Sequence, residues 1–149
     1  MGRKILTFIG IAFLLSACTN NINRAASRQS YIDVKYYIEH GSDPNERNQG
    51  WTPLTWAAYN GNHQIARYLL ENGANVDLPK TRTKKQPKYN GYTPLHFAAF
   101  YGHKYVTEVL LEFGANKHLR DAWNNTALDY AFQYGFHDVA KMIEDTEKK

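Results

Sequence analysis

Six histidines and one cysteine are the side chains with which this 149-residue chain could hold a metal or form a covalent bond. His40, His63, His96, His103, His118 and His137 are spread along the chain with no HExxH element, no His and carboxylate pair at ligand spacing and no cysteine ligand, so no metal site is expected. No GxSxG turn activates a serine, no glycine-rich loop could cradle phosphate, and Asp129 stands as an isolated carboxylate. The chain is therefore expected to have no catalytic residue and no cofactor. Cys18 has a different context. Arg3 and Lys4 precede an apolar run from Ile5 to Leu15, and Leu15-Ser16-Ala17 lead into the cysteine. That run falls short of the ~20 residues a membrane span needs. Basic residues, a short apolar stretch and small residues before a cleavage point make residues 1–17 a secretory signal. With one cysteine no intrachain disulfide can form.

The rest of the chain is organised by a repeat. Thr52-Pro53-Leu54 returns at Thr93-Pro94-Leu95 and, weakened, at Thr126-Ala127-Leu128. Thr52 to Gly73 and Thr93 to Gly114 are both 21 residues, and the text between them, TPLTWAAYNGNHQIARYLLENGAN against TPLHFAAFYGHKYVTEVLLEFGAN, matches closely. Its apolar residues fall on one side of two short helices. Gly61 and Gly102 stand where the first helix must turn back into the second, and Gly73 and Gly114 where the second ends. Counting 32 residues back from Gly73 reaches Gly41, which closes a degenerate first unit in which Ile22, Ala25-Ala26 and Tyr37-Ile38 match Leu54, Ala57-Ala58 and Leu69-Leu70. At the other end Thr126, Ala131, Val139, Met142 and Ile143 keep the core positions while Asn124 replaces a glycine. Atypical ends are expected of a stacked array, whose terminal units have a neighbour on one side only.

These motifs resemble the ankyrin repeat over nearly all of the chain after residue 20. The resemblance implies an all-α solenoid of four helix-turn-helix units, at about 22–49, 50–90, 91–123 and 124–149, with hairpin loops along one edge. It implies that His96, at the histidine of the TPLH element, and His103, after the glycine, serve hydrogen bonding within the fold. A relaxed last cap accounts for Asp129. The tetrapeptide Leu15-Ser16-Ala17-Cys18 resembles the lipobox of bacterial lipoproteins, in which the cysteine is acylated and becomes the mature N-terminus. The other reading is an ordinary signal peptide with an incidental cysteine. Acyl chains at about 0.8 kcal/mol per buried methylene would anchor the chain firmly, with residues 18–21 as a short tether. Thr19, in place of a retention-type aspartate, points to the outer membrane facing the periplasm, given a two-membrane bacterium.

The spacing is broken once. Thr52 to Thr93 is 41 residues and Thr93 to Thr126 is 33, so eight residues are inserted, in the hairpin stretch 79–88. Two prolines and no large apolar residue there predict an extended, solvated loop. It carries Lys80, Arg82, Lys84, Lys85 and Lys88 and no acid, so the formal charge of +4 is local: the chain from Cys18 onward is net −3 without these five. The stretch reads as a solubilising insertion or as a site for an acidic protein, with anionic headgroups next. Nucleic acid comes last, for want of an aromatic-basic platform.

With 11 tyrosines, 7 phenylalanines and 3 tryptophans the chain has more aromatic side chains than a small helical core needs. The ankyrin resemblance places the variable binding positions just before the TPLH turn and after the paired alanines. The first set holds Trp51, Tyr89, Tyr92 and Trp123, and the second Tyr59, Phe100, Tyr101 and Tyr134. Eight large aromatics facing outward would form an anchor-rich protein interface; the alternative is that several pack against neighbouring units. Trp56, Phe97 and Tyr130 are assigned to packing. The expected role is binding, by a protein monomeric when unbound, of a secreted effector or a periplasmic enzyme. Small ankyrin lipoproteins of this design resemble immunity partners of antibacterial effectors such as lipases. The alternative is an envelope scaffold or accessory factor for a resident enzyme.

Overall fold

The computed structural model describes residues 21–81 and 89–145. The leader, Cys18, Arg82, Lys84, Lys85 and Lys88 lie outside the described residues. Among those described, all regular structure is helical: α1 (Ile22–Ser27), α2 (Tyr31–Glu39), α3 (Pro53–Asn60), α4 (His63–Glu71), α5 (Pro94–Tyr101), α6 (Lys104–Glu112), α7 (Ala127–Gln133) and α8 (His137–Asp145). The first helices of the four pairs, α1, α3, α5 and α7, pack in sequence as one layer, and α2, α4, α6 and α8 form a second layer behind them. This is the expected all-α ankyrin solenoid.

Asn21 caps α1, and the other three first helices each start at a threonine cap. Thr52 accepts from the Thr55 amide while Thr55 Oγ1 accepts from the Thr52 amide at 2.8 Å, a reciprocal capping box. Thr93 with His96, and Thr126 with Asp129, repeat the arrangement. Pro53 and Pro94 occupy the first turn, where a missing N–H costs nothing. In the first unit Asn23 holds the register of Thr55, His96 and Asp129; it is buried, donates from Nδ2 to Glu46 O at 2.8 Å, and its Oδ1 has no hydrogen-bond partner among the described residues. The second helices follow the i, i+4 pattern of one buried stripe: α4 buries Ile65, Ala66, Leu69 and Leu70.

The units are then locked to one another. Gly102 ends α5 at φ +70, and a Cβ built there would sit 2.5 Å from the Phe136 ring of the next unit. Glycine is needed for the left-handed conformation and for the close approach alike. Along the hairpin edge the Asn75 amide donates to Asn45 Oδ1 at 2.7 Å and the Asn116 amide to Asp77 Oδ1 at 2.9 Å, so each turn is hydrogen-bonded to its predecessor. Lys117 closes the far end by donating from Nζ to Ile143 O at 2.9 Å, where a helix C-terminus favours a cation.

Candidate functional site

The residues after the paired alanines lie at the C-terminal ends of α3, α5 and α7, and the stacking of those helices brings them into one row. Tyr59 and Tyr101 meet edge to face at 5.0 Å, Phe100 and Tyr101 at 4.8 Å, and Phe100 reaches Tyr134 at 4.5 Å. Tyr59, Phe100 and Tyr101 are half-buried, and Tyr134 is 46% exposed. Rings in such contact keep their rotamers and present rigid apolar area with polar tips. Tyr89, from the hairpin, joins the row by a 2.7 Å hydrogen bond between its hydroxyl and that of Tyr101. Its backbone sits at φ +63, uncommon for a bulky residue, and ring contacts with Phe97 and Tyr92 hold it there. Burial, reinforced by hydrogen bonds with Tyr89 and Tyr59, pushes the Tyr101 hydroxyl well above the usual phenol range. The hydroxyl therefore stays protonated, engaged with its tyrosine neighbours.

Trp123 completes the face from the last hairpin and is 53% exposed. Its backbone is fixed by Asp121, whose Oδ1 accepts from the Trp123 amide at 2.8 Å and the Asn125 amide at 3.0 Å while Oδ2 accepts from the Tyr130 hydroxyl at 2.5 Å. Asp121 is buried, and the sequence pattern offers no sign of this role beyond an Asp two residues before an aromatic.

Three of the expected positions are corrected by the packing. Trp51 is 4% exposed, stacked between Trp56 at 4.1 Å and Phe97 at 5.0 Å, so it is core and not an outward anchor. Tyr92 is also 4% exposed, with its ring 5.2 Å from Phe97 and 5.1 Å from Tyr130. Burial and a hydrogen bond with Tyr130 push its hydroxyl far up. The array turns inward at the position just before Thr52 and Thr93 because the next unit's Phe97 or Tyr130 lies across it. Lys80, expected in a solvated loop, is fully buried: its Nζ lies 5.4 Å from the Trp51 ring centroid and donates to Thr81 O at 3.3 Å. Desolvation pulls its amine below the usual lysine range. The residues flanking the insertion are pinned, with Lys80 N donating to Tyr92 O at 2.8 Å, Gly91 N to Lys80 O at 2.9 Å and Thr81 N to Gly50 O at 3.0 Å. Of the three aromatics assigned to packing, Phe97 and Tyr130 are buried and Trp56 is half-buried. Phe132, 51% exposed on α7, adds apolar surface to the last unit that the repeat register did not single out.

The histidines with roles in the repeat sit as structural groups. His96 Nδ1 lies 2.8 Å from Thr93 Oγ1 and its Nε2 lies 3.0 Å from Asn125 O, so a neutral ring protonated on Nε2 joins two units. Desolvation pulls its pKa below the usual imidazole value. His103 Nε2 lies 3.1 Å from Tyr59 O and ties the third unit to the second. Asp129 accepts from the Thr126 amide at 2.7 Å and hydroxyl at 2.8 Å, which holds its carboxyl below the usual range. Among the described residues no three His, Asp or Glu side chains converge as metal ligands, and no helix is long and apolar enough to cross a membrane.

With two helix layers, capped turns and glycine-spaced units in view, comparison with known families is decisive. The family described as ankyrin repeats (3 copies) matches residues 11–80 and 78–148. This chain is an ankyrin-repeat protein. It is 33% identical over 63 residues to Ankyrin repeat domain-containing protein 40 of Mus musculus, covering 41% of this chain and 17% of that one. It is 39% identical over 61 residues to Ankyrin repeat and SAM domain-containing protein 3 of Homo sapiens, covering 40% and 9%. It is 44% identical over 45 residues to Protein phosphatase 1 regulatory subunit 27 of Homo sapiens, covering 30% and 29%. The matched segments thus span less than a third of these curated relatives. The fold and the ankyrin class support a module that works by binding protein.

Proposed function

We propose that this ankyrin-repeat protein is a non-catalytic binder, held in the bacterial envelope by acyl chains on Cys18, that captures and neutralises a membrane-acting antibacterial effector such as a lipase. The observation that carries the binding part is the row of Tyr59, Phe100, Tyr101 and Tyr134 flanked by Trp123, preorganised by ring contacts and partly open to solvent. Rigid aromatic anchors dominate protein interfaces because they bury large area at low entropic cost. A relative named as a phosphatase regulatory subunit supports a role exercised through another protein. The leader before Cys18 and the short tether support placement at the outer membrane, periplasmic side, where an effector attacking phospholipid would be met before it acts. The basic residues beyond Lys80 would favour an acidic partner and speed its association.

The test pairs a genetic and a biochemical measurement. Full-length protein extracted from membranes is used to capture partners from secreted fractions of kin and competitor strains, and a strain lacking the gene is exposed to the same competitors. Recovery of one secreted effector, with killing of the deletion strain reversed by the wild-type gene but not by a Phe100→Ala, Trp123→Ala double variant, is the expected result. A deletion strain insensitive to every kin-delivered effector would overturn the immunity role. Capture of a resident envelope enzyme in its place would establish the scaffold.

A further inference from the structure

The first unit carries apolar surface that the aromatic row does not use. α1 and α2 pack against α3 and α4 on one side and have no earlier unit among the described residues on the other. α2 buries Val34 and turns Ile32 outward at 80% exposed, with Tyr36 exposed one turn further on, while Tyr31 leans edge-on against Tyr68 of the second unit at 5.5 Å. The register explains Tyr36: its counterpart in the third unit, Val109, is buried. Ile32 has no such excuse. The same register in the later units holds Gln64, Tyr105 and Asp138, all exposed and all able to hydrogen-bond to water.

We propose that the outer face of α2 in the first unit, centred on Ile32 and Tyr36, rests on the phospholipid bilayer. The inference builds on the reading of Cys18 as the anchored residue. Cys18 stands three residues before Asn21, the cap of α1, and three residues reach about 10 Å at full extension. An anchored Cys18 therefore holds the start of α1 within that distance of the headgroups, and makes the first unit, α1 with α2 packed on it, the part of the array nearest to them. The charges on these two helices are nearly balanced, with Arg24, Arg28 and Lys35 against Asp33 and Glu39, so the surface can meet headgroups without repulsion. Lys35 and Glu39 are paired at 3.7 Å. A tyrosine such as Tyr36 suits the headgroup level, where one end of the ring is apolar and the other wet, and Ile32 one turn before it can enter the acyl boundary. The contact is small and weak by itself. The tether makes it intramolecular, so a weak contact suffices to orient the solenoid and to fix which way the aromatic row faces.

Full-length protein in phosphatidylethanolamine and phosphatidylglycerol vesicles provides the test. A nitroxide is attached at Lys35→Cys, beside Ile32, and in a second protein at Gln133→Cys in the last unit. Acylated Cys18 does not react with the label. The expected result is several-fold lower accessibility to a water-soluble nickel chelate, and higher accessibility to oxygen, at position 35 than at 133. Adding Ile32→Ser to the Lys35→Cys protein should return its label to the values at 133. Equal nickel accessibility at the two positions in vesicle-bound protein would overturn the proposal. So would protection that survives Ile32→Ser, or that varies with protein-to-lipid ratio as contact between copies would. Flotation with the vesicles is scored separately: a chain that fails to float refutes the anchoring at Cys18, and the bilayer contact with it, whereas a floating chain with an open position 35 refutes the contact and leaves the anchoring intact.

Discussion

Replacing Trp51 and Trp123 by alanine, one at a time, separates the core from the binding face. Both stand in hairpins and both read as outward anchors in the repeat register, yet one is 4% and the other 53% exposed. Trp51→Ala removes an indole stacked on Trp56 and Phe97 and lying under the Lys80 amine. Large aromatic to alanine changes in a packed interior cost about 3–5 kcal/mol through lost transfer energy and the cavity left behind. Trp123→Ala deletes a half-exposed ring whose recorded ring partner is Tyr92, edge-on at 6.0 Å. Such a pair is worth about 0.5–1.5 kcal/mol, so the stability loss should be about 1 kcal/mol or less. Urea unfolding followed by circular dichroism measures both, provided the slope m is unchanged. Calorimetric titration with the captured partner then reads binding. Trp123→Ala should weaken it by about 2 kcal/mol, roughly 30-fold, as a hot-spot residue does. A Trp51→Ala cost below about 1.5 kcal/mol would refute the stacked-core assignment, and an unchanged dissociation constant for Trp123→Ala would remove the last hairpin from the face.

Lys80→Met should stabilise the domain by about 1 kcal/mol near neutral pH, because an apolar side chain of similar length avoids the desolvation of a buried charge. With the folded amine lowered, the unfolded chain binds more protons only between the folded pKa and 10.5, so the gap is full at neutral pH and the wild type should close it as pH rises toward 10.5; a gap independent of pH would refute the burial argument. His96 obeys the same sign rule at lower pH. Its folded pKa lies below 6.5, so its contribution is complete above that value and is lost as pH falls beneath it. Urea midpoints at pH 7.5 and 5.5 should therefore differ more for the wild type than for His96→Gln, and equal differences would show that the ring protonates without penalty. Gly102→Ala should cost about 2–4 kcal/mol, from a left-handed residue gaining a Cβ and from its overlap with Phe136, whereas Gly114→Ala, with nothing within 4 Å, should cost about 1 kcal/mol. Similar thermal shifts for the two would deny the interlock between the third and fourth units.

The helix pairs were legible in the sequence because each depends on local chemistry. A threonine with a hydrogen-bonding residue three positions on caps a helix whether that residue is Thr55, His96 or Asp129, and the glycine after the second alanine ends it. The row Tyr59, Phe100, Tyr101 and Tyr134 was legible for the same reason, since the helix register alone decides which way those side chains leave the turn. Trp51, Tyr92 and Lys80 were not. Their burial comes from residues of the following unit and from a hairpin base closed by Lys80 and Tyr92, contacts that no periodicity within a unit encodes.

Burying Trp51 and Tyr92 also bears on how the aromatic face works. Had all eight positions pointed outward, the array would carry a broad, mobile apolar surface prone to self-association. Two of the rings instead form a floor, Trp51 against Phe97 and Tyr92 against Tyr130, on which Tyr89 and Phe100 stand in ring contact at 5.3 Å from Phe97 and 5.5 Å from Tyr130. The half-buried row is thus held by side chains of the second, third and fourth units at once. Loosening any one interlock, His103 to Tyr59 O or Gly102 against Phe136, would shift the row as well as the stack. With the row as the proposed binding face, binding and stability would be coupled through the same unit interfaces, and variants there should lose affinity for the partner before they lose helix content.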